Sequence, residues 1–247
     1  MNIPTNSIIR AVLMGLCIET YTAAQTSDVL PATSEVVAKM VEQDALRRTE
    51  SNGYTATRRY LAVNQNGRAA MVVRVTCAGD GEKRFTILSE EGSTAIRSHV
   101  LYKMLKEETE ASSPGTSGKT RITPSNYNFL LLGKGLIENR PAYVLRITPK
   151  ENNQYLIDGN IWVDATDYSI VRIEGGPAKN PSYWTNNIHF VRTYQKVGPF
   201  WLAASTHSVS HIRIFGDAEL TIENSYYTLN SSNDHIAKAD YPAKIRQ

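Results

Sequence analysis

Gly159-Asn160-Ile161-Trp162-Val163-Asp164, the turn Ala165-Thr166-Asp167, and the return Tyr168-Ser169-Ile170-Val171-Arg172-Ile173-Glu174 decide the fold class of this chain. Successive residues of a strand point to opposite faces, so this period-two rhythm specifies a hairpin with one apolar face. The rhythm recurs over Asn186–Tyr194, Phe200–Ile214 and Glu219–Leu229, with Gly or Pro between most of the runs. From Gln154 to Leu229 the chain therefore reads as a long antiparallel meander, and a meander of this length implies a curved sheet that holds something.

Upstream, Tyr54–Val63, Ala69–Ala78 and Lys83–Ser89 read as three further strands, the first two joined by the turn Asn64-Gln65-Asn66-Gly67. Tyr127–Leu132, Ala142–Pro149 and Tyr155–Asp164 complete a set of roughly ten strands. Two segments carry helical spacing instead. Pro31-Ala32-Thr33-Ser34 offers a helix entry, with Ser34 or Thr33 as cap, before the stripe Val36, Val37, Met40, Val41, Ala45 and Leu46. Ile96, Val100, Leu101, Met104 and Leu105 form a second stripe. Ser112 to Gly118 reads as a flexible loop by composition. Helices with one apolar face cannot stand alone and must pack on the sheet. The expected fold is thus mainly β (α+β): a strongly curved, half-open antiparallel β-barrel of about ten or eleven strands, with two helices as a lid over the concave face.

Residues 1–24 read as an export signal. Arg10 supplies the positive charge, Ala11–Ile18 is a short apolar run, and Thr22-Ala23-Ala24 offers a cleavage point between Ala24 and Gln25. The run falls short of the about 20 apolar residues a membrane span needs. Residues 25–247 are expected to form one half-barrel domain. The chain has 27 Lys and Arg against 24 Asp and Glu, a formal charge of +3, and the signal removes one of each sign. So small and evenly spread an excess gives no argument for a nucleic-acid partner, and none is expected. Beyond the signal Cys77 is the only cysteine, so stability rests on a core rather than a disulfide. Cys77 shares a strand face with Met71, Val73 and Val75 and reads as a buried apolar thiol.

Several motifs resemble chemical sites without the context those sites require. Ser113 to Thr120 nearly spells a phosphate-binding loop, but Ser113 stands in place of its first glycine and no strand precedes it. His207 and His211, four apart on a strand, stand roughly 13 Å apart and cannot share a zinc ion. No Gly-x-Ser-x-Gly elbow accompanies Ser205 and His207. Asp164 and Asp167 bracket a hairpin turn, where aspartate bonds its own backbone. The expectation is a protein that is not an enzyme and has no catalytic residues, metal or cofactor.

The strand faces point to a binding role. One face of Phe200–Ile214 carries Phe200, Leu202, Ala204, Thr206, Ser208, Ser210, Ile212 and Ile214, apolar at both ends and small in the middle. Met71, Val73, Phe85, Ile87, Ile161, Val163, Val171, Ile188, Phe190, Leu202 and Ala204 are the expected cavity residues. A cavity lined this way suits acyl chains, because each buried CH₂ contributes about 0.8 kcal/mol without directional contacts.

The Trp162-Val163-Asp164 hairpin with its return Ile170-Val171-Arg172-Ile173-Glu174, and the later turn Val197-Gly198-Pro199-Phe200-Trp201-Leu202, resemble the bacterial outer-membrane lipoprotein-sorting proteins over roughly residues 120–230. That superfamily includes a periplasmic lipoprotein carrier, its outer-membrane receptor and a sigma-factor regulator. The resemblance implies a half-open barrel closed by helices, periplasmic in a Gram-negative-type envelope. It also implies acyl chains of a lipid or lipoprotein as partners, with only peripheral or transient membrane contact. The carrier's lid-closing arginine matches no single position; Arg58, Arg59 and Arg74 all qualify. Three functions are weighed: a lipid or lipoprotein carrier that transports or sorts its cargo to the outer membrane, an envelope-stress sensor or regulator that binds a protein partner, and a small exported hydrolase. A carrier requires an apolar cavity, a regulator a filled core and a binding surface, and a hydrolase a polar cluster in a cleft.

Overall fold

The computed structural model describes residues 30–180, 185–212, 216–230 and 238–239. The export signal and its cleavage point at Ala24 and Gln25 lie outside the described residues. Helix α1 (Thr33–Glu50) is followed by strands β1 (Gly53–Asn64), β2 (Gly67–Ala78) and β3 (Lys83–Gly92). A helical arm comes next, made of α2 (Thr94–Ile96), a π-helical turn (Arg97–Leu101), α3 (Tyr102–Ser112) and α4 (Pro114–Thr120). The remaining strands are β4 (Tyr127–Ile137), β5 (Arg140–Pro149), β6 (Ile157–Asp164), β7 (Ile170–Pro177), β8 (Thr185–Val197), β9 (Phe200–Ile212), β10 (Gly216–Leu229) and β11 (Lys238–Ala239).

The strands form one antiparallel sheet in the order β3-β2-β1-β10-β9-β8-β7-β6-β5-β4, with the short β11 beside β10. β4 to β10 are therefore a continuous meander, and β1 joins it by pairing with β10 along Tyr54↔Leu229 to Asn64↔Ala218. Among the described residues β3 and β4 remain as open edges, so the sheet is the expected half-open barrel. Irregular registers bend it: pairing slips between Leu131 and Gly133 on β4, and between Trp162 and Val163 on β6. Sharp bending also uses a Gly159–Gly175 cross-strand pair, where a Cβ on Gly159 would stand 2.1 Å from the Glu174 carbonyl.

The two helical pieces lie on different halves of the concave face. Val36, Val37 and Met40 of α1 pack on Tyr127, Leu145, Ile147, Ile161, Val163 and Ile173 of β4 to β7. Ile96, Leu101 and Leu105 of the helical arm pack on Tyr60, Met71, Val73, Val75 and Ile222 of β1, β2 and β10. Ile96 and Leu101 are five apart, a spacing that an α-helix rotates off its face; the π turn between them keeps both inward.

Two local expectations are corrected. Ala32, not Ser34 or Thr33, occupies the N-cap of α1, and no side chain caps it. The Thr33 hydroxyl instead accepts the Leu131 amide at 3.1 Å, tying the helix to the free edge of β4. Part of the expected loop 112–118 is the helix α4: Pro114 sits in its first turn, where the missing N–H costs nothing, and the Thr116 and Ser117 amides bond the Ser113 carbonyl. Among the described residues, no helix is long and apolar enough to cross a membrane.

Candidate functional site

The inner stripe of α1 changes character along its length. Val36, Val37 and Met40 are buried in the core, and Asp44, Arg47 and Arg48 continue the same helical face. Leu46 faces out and is 49% exposed. Amphipathic folding alone would place Leu46 inward and the arginines outward. The inversion marks where the helix stops covering core and begins to roof a cleft.

That cleft has a volume of about 390 Å³. α1 supplies Met40, Val41, Asp44, Arg47 and Arg48 on one side, and the β2–β3 turn closes a second side from Cys77 to Gly81. Ile170, Ile173, Tyr194, Phe200, Trp201 and Leu202 form its wall on β7 to β9, and Arg121 and Ile122 stand at the end of the helical arm. The lining is therefore apolar with a charged rim.

A hairpin turn braces the wall. Asp164 is buried and accepts the Thr166 and Asp167 amides at 2.9 and 3.1 Å and Arg140 at 2.7 Å. Burial alone would raise its pKa, but Arg140 and the two amides hold it below the usual aspartate value. Asp167 accepts the Ser169 amide at 3.1 Å, the Trp201 Nε1–H at 2.9 Å and Lys196 at 3.2 Å, while its carbonyl accepts Arg47 at 3.0 Å. These carboxylates serve the turn and hold Trp201 at the cleft, while the Asp167 backbone carbonyl holds Arg47 there. The Ser169 hydroxyl is buried on the same wall and makes no hydrogen bond of acceptable geometry, although the Asp167 carboxylate is its neighbour.

Of the eleven residues expected to line a cavity, Leu202 lines this cleft. Met71 and Val73 are fully packed beneath the helical arm, with Phe85 against them. Ile87 pairs with Val73 on the edge strand β3 and is 39% exposed. Ile161 and Val163 are fully packed beneath α1, with Phe190 against them. Val171 falls at the β6–β7 register shift and lines a separate void of about 10 Å³ with Ala142, Asp164 and Trp201. Ile188 and Ala204 are half-buried on β8 and β9. Much of the expected cavity lining is thus filled core on either side, and the cleft lies between α1 and the end of the helical arm.

Sequence reasoning missed a polar belt across the concave face. Among Arg58, Arg59 and Arg74, Arg58 is the one that faces inward. It donates to Glu108 of α3 at 2.6 Å, to Asn224 of β10 at 2.7 Å and to the Tyr60 hydroxyl at 3.1 Å. Arg59 and Arg74 are exposed, and Arg59 pairs with Glu223. Lys83 reaches the other Glu108 oxygen at 2.8 Å. Burial would raise the Glu108 pKa, but Lys83 and Arg58 together hold it down at about 2. Farther along the belt Arg192 donates to Thr206 at 3.1 Å. Ala56, Arg58 and Tyr60 share one face of β1 by alternation, and that was the signal in the sequence that could have found it.

The other candidate groups sit apart from the cleft or are inert. His207 and His211 are exposed on the convex face, opposite Glu219 and Asp217. Cys77 is buried, and burial pushes its thiol pKa up. Asp158 is paired with Arg146 on the surface. No group of three or more metal-ligating side chains occurs among the described residues.

No family model matches the chain, and no curated protein matches its sequence. Solved structures do resemble it in fold. A DUF1329 family protein from Desulfovibrio piger is 11% identical at a TM-score of 0.46, covering 82% of this chain and 95% of that one. A chain described as an outer membrane lipoprotein-sorting protein domain from Vibrio parahaemolyticus is 13% identical at 0.45, covering 83% and 96%. A LolA superfamily protein from Nitrosomonas europaea is 9% identical at 0.41, covering 83% and 96%. The likeness of this chain to these proteins is one of fold.

Proposed function

We propose that this chain is an exported, periplasmic binding protein that holds an acyl chain of a lipid or lipoprotein in the cleft beneath α1, without catalysing a reaction. The observation that carries the reading is the cleft itself. Its wall is Ile170, Ile173, Tyr194, Phe200, Trp201 and Leu202, and its volume of about 390 Å³ falls within the roughly 300–1,000 Å³ typical of ligand sites. Apolar walls reward chain length rather than headgroup detail, since each methylene removed from water contributes about 0.8 kcal/mol. The carboxylates that line the cleft are engaged elsewhere: Asp44 pairs with Arg48, and Asp80 accepts the Glu82 amide within its own turn. The signal read in residues 1–24 and the sequence resemblance over residues 120–230 support export and a sorting or transport role.

Native mass spectrometry of the chain purified from a bacterial periplasm, followed by lipid extraction, tests the reading. A near-stoichiometric acylated species is the expected result. A clean apo mass together with no uptake of a fluorescent fatty-acid probe overturns it.

One observation favours the regulator reading. The edge strand β4 exposes Leu130, Leu132 and Leu136, the last at 69%, and among the described residues no further strand pairs with its outer edge, where Thr33 accepts the Leu131 amide. Such an edge accepts an added strand from a partner protein. Crosslinking at position 132 in periplasmic extracts, compared with an edge-blocked Leu132→Pro variant, separates a specific partner from none.

A further inference from the structure

We infer that the cleft selects an amphiphile with a single acyl chain and an anionic headgroup, bound tail-inward with the head at Arg47, Arg48 and Arg121. This rests on the acyl-chain reading above and adds the headgroup chemistry to it.

The argument starts from helical spacing. Met40, Asp44, Arg47 and Arg48 share one face of α1, so the guanidiniums stand over the same space whose wall is Trp201 and Leu202. Arg121 lines that space from the far side. Arginine is rarely placed over an apolar surface without an acidic partner, because its charge must be solvated or paired.

The pairing is incomplete. Arg48 pairs with Asp44. Arg47 donates to the Asp167 carbonyl, which carries no net charge, and among the described residues Arg47 and Arg121 have no carboxylate partner. The one other acid at the rim is Asp80, which accepts the Glu82 amide within its own turn. Three guanidiniums therefore meet two carboxylates. Arg48 also feels the strain: burial is the larger cause lowering its pKa, and the like charge of Arg121 adds to it. A carboxylate or phosphate between Arg47, Arg48 and Arg121 would relieve that repulsion through charge-assisted hydrogen bonds, and planar guanidiniums suit both oxyanions. The volume sits at the low end of the ligand-site range, which favours one chain over a diacyl or triacyl lipid.

Calorimetric titration of the full mature chain with four fourteen-carbon probes tests this: myristate, lysophosphatidylglycerol, lysophosphatidylcholine and monomyristin. The anionic pair should bind about tenfold or more tightly than the zwitterionic and neutral probes, with the ratio shrinking as salt is raised. Whichever of the two anions binds more tightly distinguishes a carboxylate ligand from a phosphate one. Arg121→Gln, an exposed position that should fold normally, should reduce the ratio several-fold, and Arg47→Gln with Arg121→Gln should bring it near one. Arg59→Gln, whose charge lies outside the cleft, should leave it unchanged. Equal binding of all four probes overturns the headgroup inference and leaves the acyl-chain reading standing. No binding of any probe overturns both.

Discussion

The Arg58 guanidinium lies 2.6 Å from the Glu108 carboxylate and thereby ties strand β1 to helix α3 from inside the concave face. The Arg58 side chain is 6% exposed and that of Glu108 30%, so the pair spans the boundary between core and lid. Arg58→Ala removes one of the two cations that hold Glu108 while Lys83 keeps the other, so it should cost about 2 kcal/mol, less than a wholly stranded buried charge. The double change Arg58→Met with Glu108→Leu should cost markedly less than the single one. Urea denaturation of the three variants measures the coupling; additive losses would show that the pair does not hold the arm.

The same pair sets an acid limit on stability. The Glu108 pKa falls from the ordinary 4.5 to about 2 on folding, so the folded state holds fewer protons than the unfolded one in between. Its contribution is fully present above about pH 4.5 and is lost as pH falls toward the folded value. Asp164 and Asp167 are shifted in the same direction. Melting temperature should hold steady above that limit and fall steeply below it, and Glu108→Gln should flatten the descent. A Glu108→Gln profile parallel to that of the parent would refute the assignment.

Charge placed on the cleft wall should abolish ligand uptake while charge lost on the convex face should not. Leu202→Asp puts a carboxylate among Phe200, Trp201 and Ile173, and fluorescent fatty-acid uptake should fall at least tenfold. Phe190→Asp should either unfold the chain or remove binding, since Phe190 packs against the core beneath α1. His207→Ala and His211→Ala, exposed on the opposite face, should change uptake less than twofold. Silent wall variants with damaging histidine variants would place the binding surface on the convex side.

Gly159→Ala should destabilise the sheet although Gly159 is an ordinary strand position by φ. Its added Cβ would meet the Glu174 carbonyl at 2.1 Å and the Gly175 Cα at 2.7 Å, all of it backbone that cannot swing aside. β6 and β7 would have to separate, at a cost of about 2 kcal/mol or more. Gly115→Ala, with nothing within 4 Å of its Cβ, is the control and should be neutral or stabilising. Thermal melts of both variants check the contrast.

Strand positions, the hairpin at 159–174 and both helical stripes were legible in the chain because they depend on local periodicity and turn chemistry. Asp164 and Asp167 show this well: their spacing across a tight turn predicts the amide bonds that the structure contains. The apolar alternation of Met71, Val73, Ile161 and Val163 correctly reported an inward face, but periodicity carries no information on what lies opposite. Whether such a residue meets a helix or an open cleft depends on where the two lids fall, and that follows from β10 pairing with β1 across more than 150 residues of chain. The register shift beside Val171, the inward turn of Arg47 and Arg48, and the meeting of Arg58 with Glu108 come from the same source. The sequence by itself determined which faces are apolar, because side-chain direction is a local property of the backbone. Only the tertiary structure decided which of those faces stay uncovered, because coverage is a matter of long-range packing.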